Sequence, residues 1–284
     1  MKTARRNQNI ETFQRDNAPL PISAMMRYLR NTVYLKDERD YFLTSLWCLS
    51  THHCKEFMYT GYIHVYSDRL CCGKSLFLQA LRPLVYNPSD ILISPAEERL
   101  IQTAADQTQI LDQVERWGCR KILLRNILNC GFENGGCIPR VQMNGDQKHE
   151  YILYPVYSPR VLASKNKHLF GEIAKDCAFF IKMTQPPANR KFIQIGGEEH
   201  QRFVYELDEL IGNWKDYASK YVGSIYDVSY FPYLNGFSYP TQRIAAPLAA
   251  VLETVYMGER TVNHARKQFV RAVETAREES SSFF

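Results

Sequence analysis

Residues 62–81 hold the feature that most constrains the fold of this chain: a strand-like run, then a glycine-containing loop, then a helix-like run. Residues 62–66 are Tyr-Ile-His-Val-Tyr, the loop ends in Gly73, Lys74 and Ser75, and an apolar periodic segment follows from 76 to 81. This order predicts a strand, a phosphate-binding (Walker A) loop and a helix. In such a loop the backbone N–H groups point at phosphate oxygens, and the helix dipole favours the same negative charge.

The loop therefore predicts binding of ATP together with Mg²⁺. Lys74 is expected to reach the β- and γ-phosphates and Ser75 to hold Mg²⁺. The full motif begins with a glycine five residues before the second glycine, and this chain has Asp68 there. A carboxylate beside a phosphate is unfavourable unless it points away. The alternative interpretation is a surface turn before a helix. The predicted nucleotide-binding residues of the loop are Cys71, Cys72, Gly73, Lys74, Ser75 and Leu76.

Composition places the chain among ordinary globular proteins. Its 284 residues, 45% hydrophobic and 23% charged, can bury a substantial core in one large or two modest domains. No apolar run approaches the length of a membrane span, and the N-terminus lacks the apolar stretch of a signal peptide, so we expect a cytoplasmic protein without a membrane partner. The net charge of +5 is compatible with a weak nucleic-acid surface but does not indicate one.

An acidic residue at the end of a second apolar run predicts the rest of the site. Residues 108–115 read Thr-Gln-Ile-Leu-Asp-Gln-Val-Glu. A strand of this kind in a phosphate-loop ATPase carries an aspartate that supports Mg²⁺, here Asp112, often followed by a glutamate that polarises the attacking water. Gln113 takes the second place and cannot accept a proton, so hydrolysis is expected to be slow unless Glu115 or another carboxylate substitutes. Alternatively, Asp112 and Glu115 are solvated acids on a helix, because the apolar residues also fit helical spacing.

Local signals predict the remaining elements in order. Residues 1–22 read as a mobile arm, and two helices follow before residue 57, the second started by the charged turn at 36–40. Ser94 is expected to cap a helix with Pro95 at its first position. Asn144 and Gly145 predict a hairpin between strands near 138–143 and 151–157. The segment after this hairpin offers Ser164 or Asn166 as a γ-phosphate sensor, or is a plain basic loop.

The predicted fold class is α/β, with a mainly parallel sheet of the phosphate-loop NTPase kind flanked by helices. Residues 23–200 form this domain together with the N-terminal helices, and residues 201–284 form a C-terminal helical subdomain, because apolar stripes at helical spacing dominate there. Eight cysteines without C-x-x-C pairs are expected to be reduced thiols. The cluster of Cys48, His52, His53 and Cys54 has no standard zinc spacing, and a helix end near the core explains it as well.

Several short motifs occur in an order that resembles one uncharacterised family. They are the 46–52 segment, the Gly73-Lys74-Ser75 loop, Ile93 to Ala96, Leu111-Asp112, the 124–136 segment with its glycines, Ser158 to Ala163 and Arg243 to Leu248. Together they resemble the P-loop ATPase-like domain of bacterial, phage and plasmid proteins, often joined to primase or helicase modules of mobile elements. The likeness spans residues 26–275.

This resemblance implies an ATP-binding, DNA-associated and helicase-like component of a mobile-element replication system, with DNA, further copies of the chain or replication proteins as partners. Two departures favour binding over turnover. Gln113 stands where the family has an acid, and Lys175, Asp176 and Cys177 stand where it has an Ala-Asp-Arg element. The missing arginine would neutralise charge on the γ-phosphate; Lys165, Lys167 and Arg190 are the candidate replacements. The alternative is a degenerate relative that does not hydrolyse ATP and acts as an interaction module.

Overall fold

The computed structural model describes residues 20–104, 106–117, 121–143, 149–167, 176–226, 231–257 and 260–281. The first helix, α1, is Pro21–Thr32, and its proline lies at the first turn, where no backbone donor is needed. Pro21 and Ile22, which were assigned to the N-terminal arm, are buried members of this helix. Residues 1–19 of that arm lie outside the described residues.

The second helix, α2, is the central helix of the fold and spans Glu38–Thr51. Asp37 caps it by accepting a hydrogen bond from the backbone N–H of Arg39, so the prediction that the charged turn starts this helix is confirmed. Every residue from 40 to 51 is buried. A helix that is covered on all sides lies between other elements, and α2 packs against α1 and against two C-terminal helices.

Five parallel strands form the main sheet, in the order β2-β3-β6-β1-β7. All residues of β1, β3 and β6 are buried, as expected for inner strands covered on both faces. The prediction of an α/β fold with a parallel sheet flanked by helices is confirmed at this level. The strands are β1 Tyr62–Tyr66, β2 Pro88–Ile93, β3 Thr108–Asp112, β6 Arg160–Ser164 and β7 Ala178–Lys182.

Three helices follow strands of this sheet: α3 Lys74–Leu81, α4 Glu97–Ala104 and α5 Lys121–Cys130. The predicted N-cap of α4 is wrong. Ser94 has φ of 50° and precedes the helix by three residues, whereas an N-cap has extended backbone geometry. The N–H of Leu100 bonds the carbonyl of Ala96 at 3.2 Å, so Ala96 is the residue at which α4 begins to form its hydrogen bonds.

A two-stranded antiparallel hairpin is inserted before β6. Its strands are β4 Cys137–Met143 and β5 His149–Pro155, which confirms the predicted hairpin, while the turn at 144–148 lies outside the described residues. One face of the hairpin is open to solvent and carries Val141, Tyr151 and Leu153, each more than half exposed.

The C-terminal helices are α6 Glu198–Ala218, α7 Val222–Ile225, α8 Tyr239–Val255 and α9 Val262–Ser281. They share one hydrophobic cluster with α1, α2, α3 and one face of the sheet, so the core continues across the expected domain boundary at residue 200. A second cluster covers the other face of the sheet. The contact is tight at Gly61, where a Cβ atom would lie 2.7 Å from Phe179 and 3.0 Å from Ile244 of α8. Among the described helices, none is both long and apolar enough to cross a membrane.

Candidate functional site

A cavity of about 370 Å³ lies at the carboxyl edge of the sheet, where β3, β6 and β1 end side by side. Ligands of open parallel sheets bind at this edge. The loop after β1 and the start of α3 form one side of the cavity, and residues that follow β3 and β6 form the other. The lining residues are Leu70, Cys71, Cys72, Gly73, Lys74, Ser75, Leu76, Asp112, Gln113, Glu115, Arg116 and Lys165. All six predicted loop residues, from Cys71 to Leu76, therefore line this cavity.

The loop before α3 is curled rather than extended. Cys71 has φ of 56° and Gly73 has φ of 83°, a conformation that glycine adopts without strain. The first hydrogen bond of α3 joins the N–H of Phe77 to the carbonyl of Gly73. Gly73 is the N-cap residue, and as a glycine it has no side chain that could accept a hydrogen bond from the helix. The N–H groups of Lys74, Ser75 and Leu76 therefore lack an intrahelical acceptor. Backbone N–H groups in a turn of this kind form a concave site for anions.

Asp68 points away from this concave site. Its side chain is exposed, and it does not line the cavity. The amine of Lys74 instead bridges the loop: its Nζ donates to the carbonyl of Ser67 at 3.3 Å and to that of Arg69 at 3.4 Å. The position of the aspartate therefore leaves the loop amides available, and the lysine faces the loop rather than bulk water.

Ser75 and Asp112 are joined by a hydrogen bond between the loop side and the sheet side of the cavity. The Ser75 hydroxyl donates to Oδ2 of Asp112 at 2.7 Å, and Oδ1 accepts the backbone N–H of Gln113 at 2.7 Å. Asp112 ends strand β3 and is 3% exposed, so the alternative of solvated acids on a helix is wrong for this residue. One hydroxyl beside one carboxylate fits Mg²⁺, which keeps several waters and takes its other ligands from substrate phosphates.

Gln113 and Glu115 occupy a short turn directly after β3. Gln113 has φ of 51° and leads into the 3-10 helix Val114–Arg116. Both residues line the cavity. Oε2 of Glu115 is buried without a hydrogen-bond partner in the described part of the chain. A buried polar atom without a hydrogen-bond partner costs free energy and needs an explanation, such as a catalytic role or a bound molecule. Of the two carboxylates that line the cavity, Glu115 is therefore the one with an oxygen that no described residue bonds.

The end of β6 differs from the sequence prediction of a γ-phosphate sensor. Ser164 is fully buried; its hydroxyl donates to the carbonyl of Asn166 at 2.6 Å and bonds Nε2 of His64 at 2.7 Å. Both hydrogen-bonding directions of the hydroxyl are thus used inside the protein. Asn166 is exposed and does not line the cavity, whereas its neighbour Lys165 does. Alternating side-chain directions at the strand end explain the difference, because one register step changes the residue that faces the site.

Of the three candidate replacements for the missing arginine, only Lys165 lines the cavity among the described residues. Arg190 donates to the carbonyl of Arg30 at 3.0 Å and stacks over Tyr34 and Phe192, away from the cavity. Lys167 does not line the cavity. Lys175, which stands at the position of the family's Ala-Asp-Arg element, is outside the described residues. Arg116, which the sequence analysis did not consider, lines the cavity together with Lys165. A cation four residues after Asp112 was the sequence feature that could have placed Arg116 in the site.

No group of three or more His, Cys, Asp or Glu side chains able to hold a metal ion occurs in the described ranges. His52 and His53 instead bond the carbonyl of Leu84 at 3.0 Å and the carboxylate of Glu56 at 2.9 Å. The helix-end interpretation of the cysteine and histidine cluster is therefore the better one.

Comparison of the chain with models of protein families and with curated proteins finds no match. The residues around the cavity are therefore the guide to its function. These residues combine free backbone N–H groups, three cations and two carboxylates at the carboxyl edge of a parallel sheet. Such an arrangement can bind a phosphorylated, magnesium-associated ligand.

Proposed function

We propose that this protein binds ATP with Mg²⁺ in the cavity at the carboxyl edge of its sheet. The observation that carries the proposal is the 2.7 Å hydrogen bond from Ser75 to Asp112, next to the uncapped amides at the start of α3. In a phosphate-loop site these two side chains hold the metal ion, and the backbone amides donate hydrogen bonds to the phosphates. Ser75 belongs to the helix that follows β1, Asp112 ends β3, and the hydrogen bond between them supports the proposal.

The residues of the chain have distinct roles in this proposal. The N–H groups of residues 74–76 hold phosphate oxygens, and the Lys74 amine exchanges its two carbonyl partners for phosphate, since charge-assisted hydrogen bonds are the stronger ones. Ser75 supplies a ligand to the ion, and Asp112 orients that ligand. Mg²⁺, when bound, neutralises phosphate charge.

Glu115 is the proposed general base for hydrolysis. Its buried, unpartnered carboxylate oxygen belongs to a residue that lines the cavity, so a water molecule held between Glu115 and the phosphates can transfer a proton to it. On the family resemblance, we extend the proposal to a DNA-associated, helicase-like ATPase of a mobile-element replication system, with DNA and further copies of the chain or replication proteins as partners.

A second candidate is a nucleotide-binding interaction module without turnover. Gln113 favours it, because this residue lines the cavity directly after Asp112 and cannot accept a proton. The two candidates share the binding site and differ only in the chemical step.

One paired assay tests the proposal. Binding of Mg²⁺-ATP and release of phosphate are measured for the purified wild-type chain, for Lys74→Ala, and for Lys220→Ala as a matched control, because Lys220 is exposed and does not line the cavity. We expect binding and release by the wild type and the control, both lost in Lys74→Ala, and faster release when DNA is added. Binding that depends on Lys74 without release favours the interaction module. Equal binding by Lys74→Ala and wild type contradicts the proposal.

A further inference from the structure

Two cations line the cavity from segments outside the phosphate loop. Arg116 lies in the turn after β3, and Lys165 directly follows β6. Lys74, the third cation of the cavity, belongs to the loop itself. A phosphate chain bound to the loop amides therefore shares the cavity with two cations that the loop does not supply.

Hydrogen bonds fix the backbone segments that carry both cations. The backbone N–H of Arg116 bonds the carbonyl of Gln113 at 2.9 Å and closes its turn. The Ser164 hydroxyl bonds the carbonyl of Asn166, which closes a turn around Lys165. The N–H of Ser67 also bonds the carbonyl of Ser164 at 3.3 Å, so the base of Lys165 is connected to the start of the phosphate loop.

Neither cation has an acidic partner among the residues that the structure describes. Within the described ranges the side chains of Arg116 and Lys165 make no hydrogen bond or ion pair. Oε2 of Glu115, which precedes Arg116 in the sequence, also lacks a hydrogen-bond partner there. Exposed arginines and lysines usually contact water, but these two lie on the wall of a concave site that already offers donors for phosphate. An arginine guanidinium forms paired, charge-assisted hydrogen bonds with phosphate oxygens.

We propose that Arg116 and Lys165 recognise the terminal phosphate of a nucleoside triphosphate, so that the chain distinguishes triphosphate from diphosphate with its own residues rather than with an arginine from a neighbouring subunit. The inference rests on the proposed function and specifies its ligand. In this proposal the two side chains contact the third phosphate, so a diphosphate on the same loop amides gains little from them.

Equilibrium binding tests this selectivity. The dissociation constants of Mg²⁺-ADP and of a non-hydrolysable Mg²⁺-ATP analogue are measured by calorimetry for wild type, Arg116→Gln, Lys165→Gln, the double variant and the control Lys220→Gln. Each single change is expected to weaken analogue binding by about tenfold, as for loss of one charge-assisted hydrogen bond, with ADP affinity changed less than about twofold. An unchanged preference for triphosphate in the double variant overturns the inference, while the proposed function survives. Failure of the wild type to bind either nucleotide overturns both.

Mixing tests whether the cations act within one chain. Lys74→Ala is expected to release no phosphate and Arg116→Gln to release it slowly, and a mixture of the two is expected to be no faster than the sum of the separate proteins. If Arg116 served the site of a neighbouring copy, a mixed assembly would contain one complete site, formed by the wild-type loop of one chain and the wild-type arginine of the other. Recovery of phosphate release on mixing therefore overturns the assignment to one chain.

Discussion

Replacement of Arg160 by lysine is predicted to destabilise the fold strongly. Arg160 is fully buried at the start of β6, and its guanidinium has neutral acceptors rather than a carboxylate among the described residues. It joins strands β1, β3 and β6 to the segments that lead into and out of the hairpin. The acceptors are Oε1 of Gln109, the hydroxyl of Tyr62 and the carbonyls of Gly131, Val156 and Ser158.

The magnitude follows from the acceptors that lose their donor. Gln109 Oε1 and the carbonyls of Val156 and Ser158 have Arg160 as their hydrogen-bond donor. A lysine amine keeps the buried charge but lacks the planar fork that reaches Gln109 and Val156 from different nitrogens. With two buried acceptors left unpaired, at about 1–3 kcal/mol each, the free energy of unfolding should fall by about 2–6 kcal/mol.

Urea denaturation followed by circular dichroism measures this loss. Arg125→Lys is the control, since Arg125 is exposed on α5 and its replacement should change stability by less than about 0.5 kcal/mol. An unfolding free energy of Arg160→Lys within that margin of the wild type would refute the reasoning that the guanidinium fork holds these strands together.

Three further predictions concern pH and the site. Burial lowers the pKa of His64 to about 3 and that of His52 to about 4, from the usual 6.5. Protons therefore bind these histidines more readily in the unfolded chain than in the folded one. The free energy of unfolding is highest above pH 6.5 and falls by up to about 1.4 kcal/mol per pH unit for each histidine as the pH drops. The urea midpoint should be lower at pH 5 than at pH 7, and His52→Asn should reduce this difference; an equal difference in the variant contradicts the assignment. Asp112→Asn should remove most of the enhancement of ATP binding by Mg²⁺, seen by titration with and without the ion, because the amide no longer accepts the Ser75 hydroxyl as a charged partner; a full enhancement in the variant would count against the metal role. Glu115→Gln should bind Mg²⁺-ATP normally but release phosphate about 100-fold more slowly, because a neutral amide cannot accept the proton; wild-type rates would assign the base elsewhere.

Elements with strong local signals could be predicted from the sequence. Apolar runs predict the strand 62–66 and strand β3, and both are observed. A glycine predicts the tight loop, and Gly73 has positive φ there. The prediction at Ser94 failed for a local reason too: a hydroxyl before a proline has the composition of a cap, but its backbone has φ of 50° there. Composition does not determine which of two turn conformations the surrounding packing selects.

The features that the sequence could not give depend on contacts between distant residues. The bond from Ser75 to Asp112 spans 37 residues, and the bond from His64 to Ser164 spans 100. The second of these contacts withdraws Ser164 from the site and leaves Lys165 on the cavity wall. Likewise, Arg116 becomes a site residue only because β3 ends beside β6 in the sheet.

Hydrogen exchange of the backbone amides at residues 71–76 tests the central claim most directly, because the account assigns phosphate binding to these N–H groups. Exchange is measured by mass spectrometry for the full chain with and without Mg²⁺-ATP. We expect ATP to slow exchange in this segment and to leave the β4–β5 hairpin unchanged, with no slowing in Lys74→Ala. Binding of ATP with unchanged exchange at 71–76, or equal slowing in Lys74→Ala, would contradict the account.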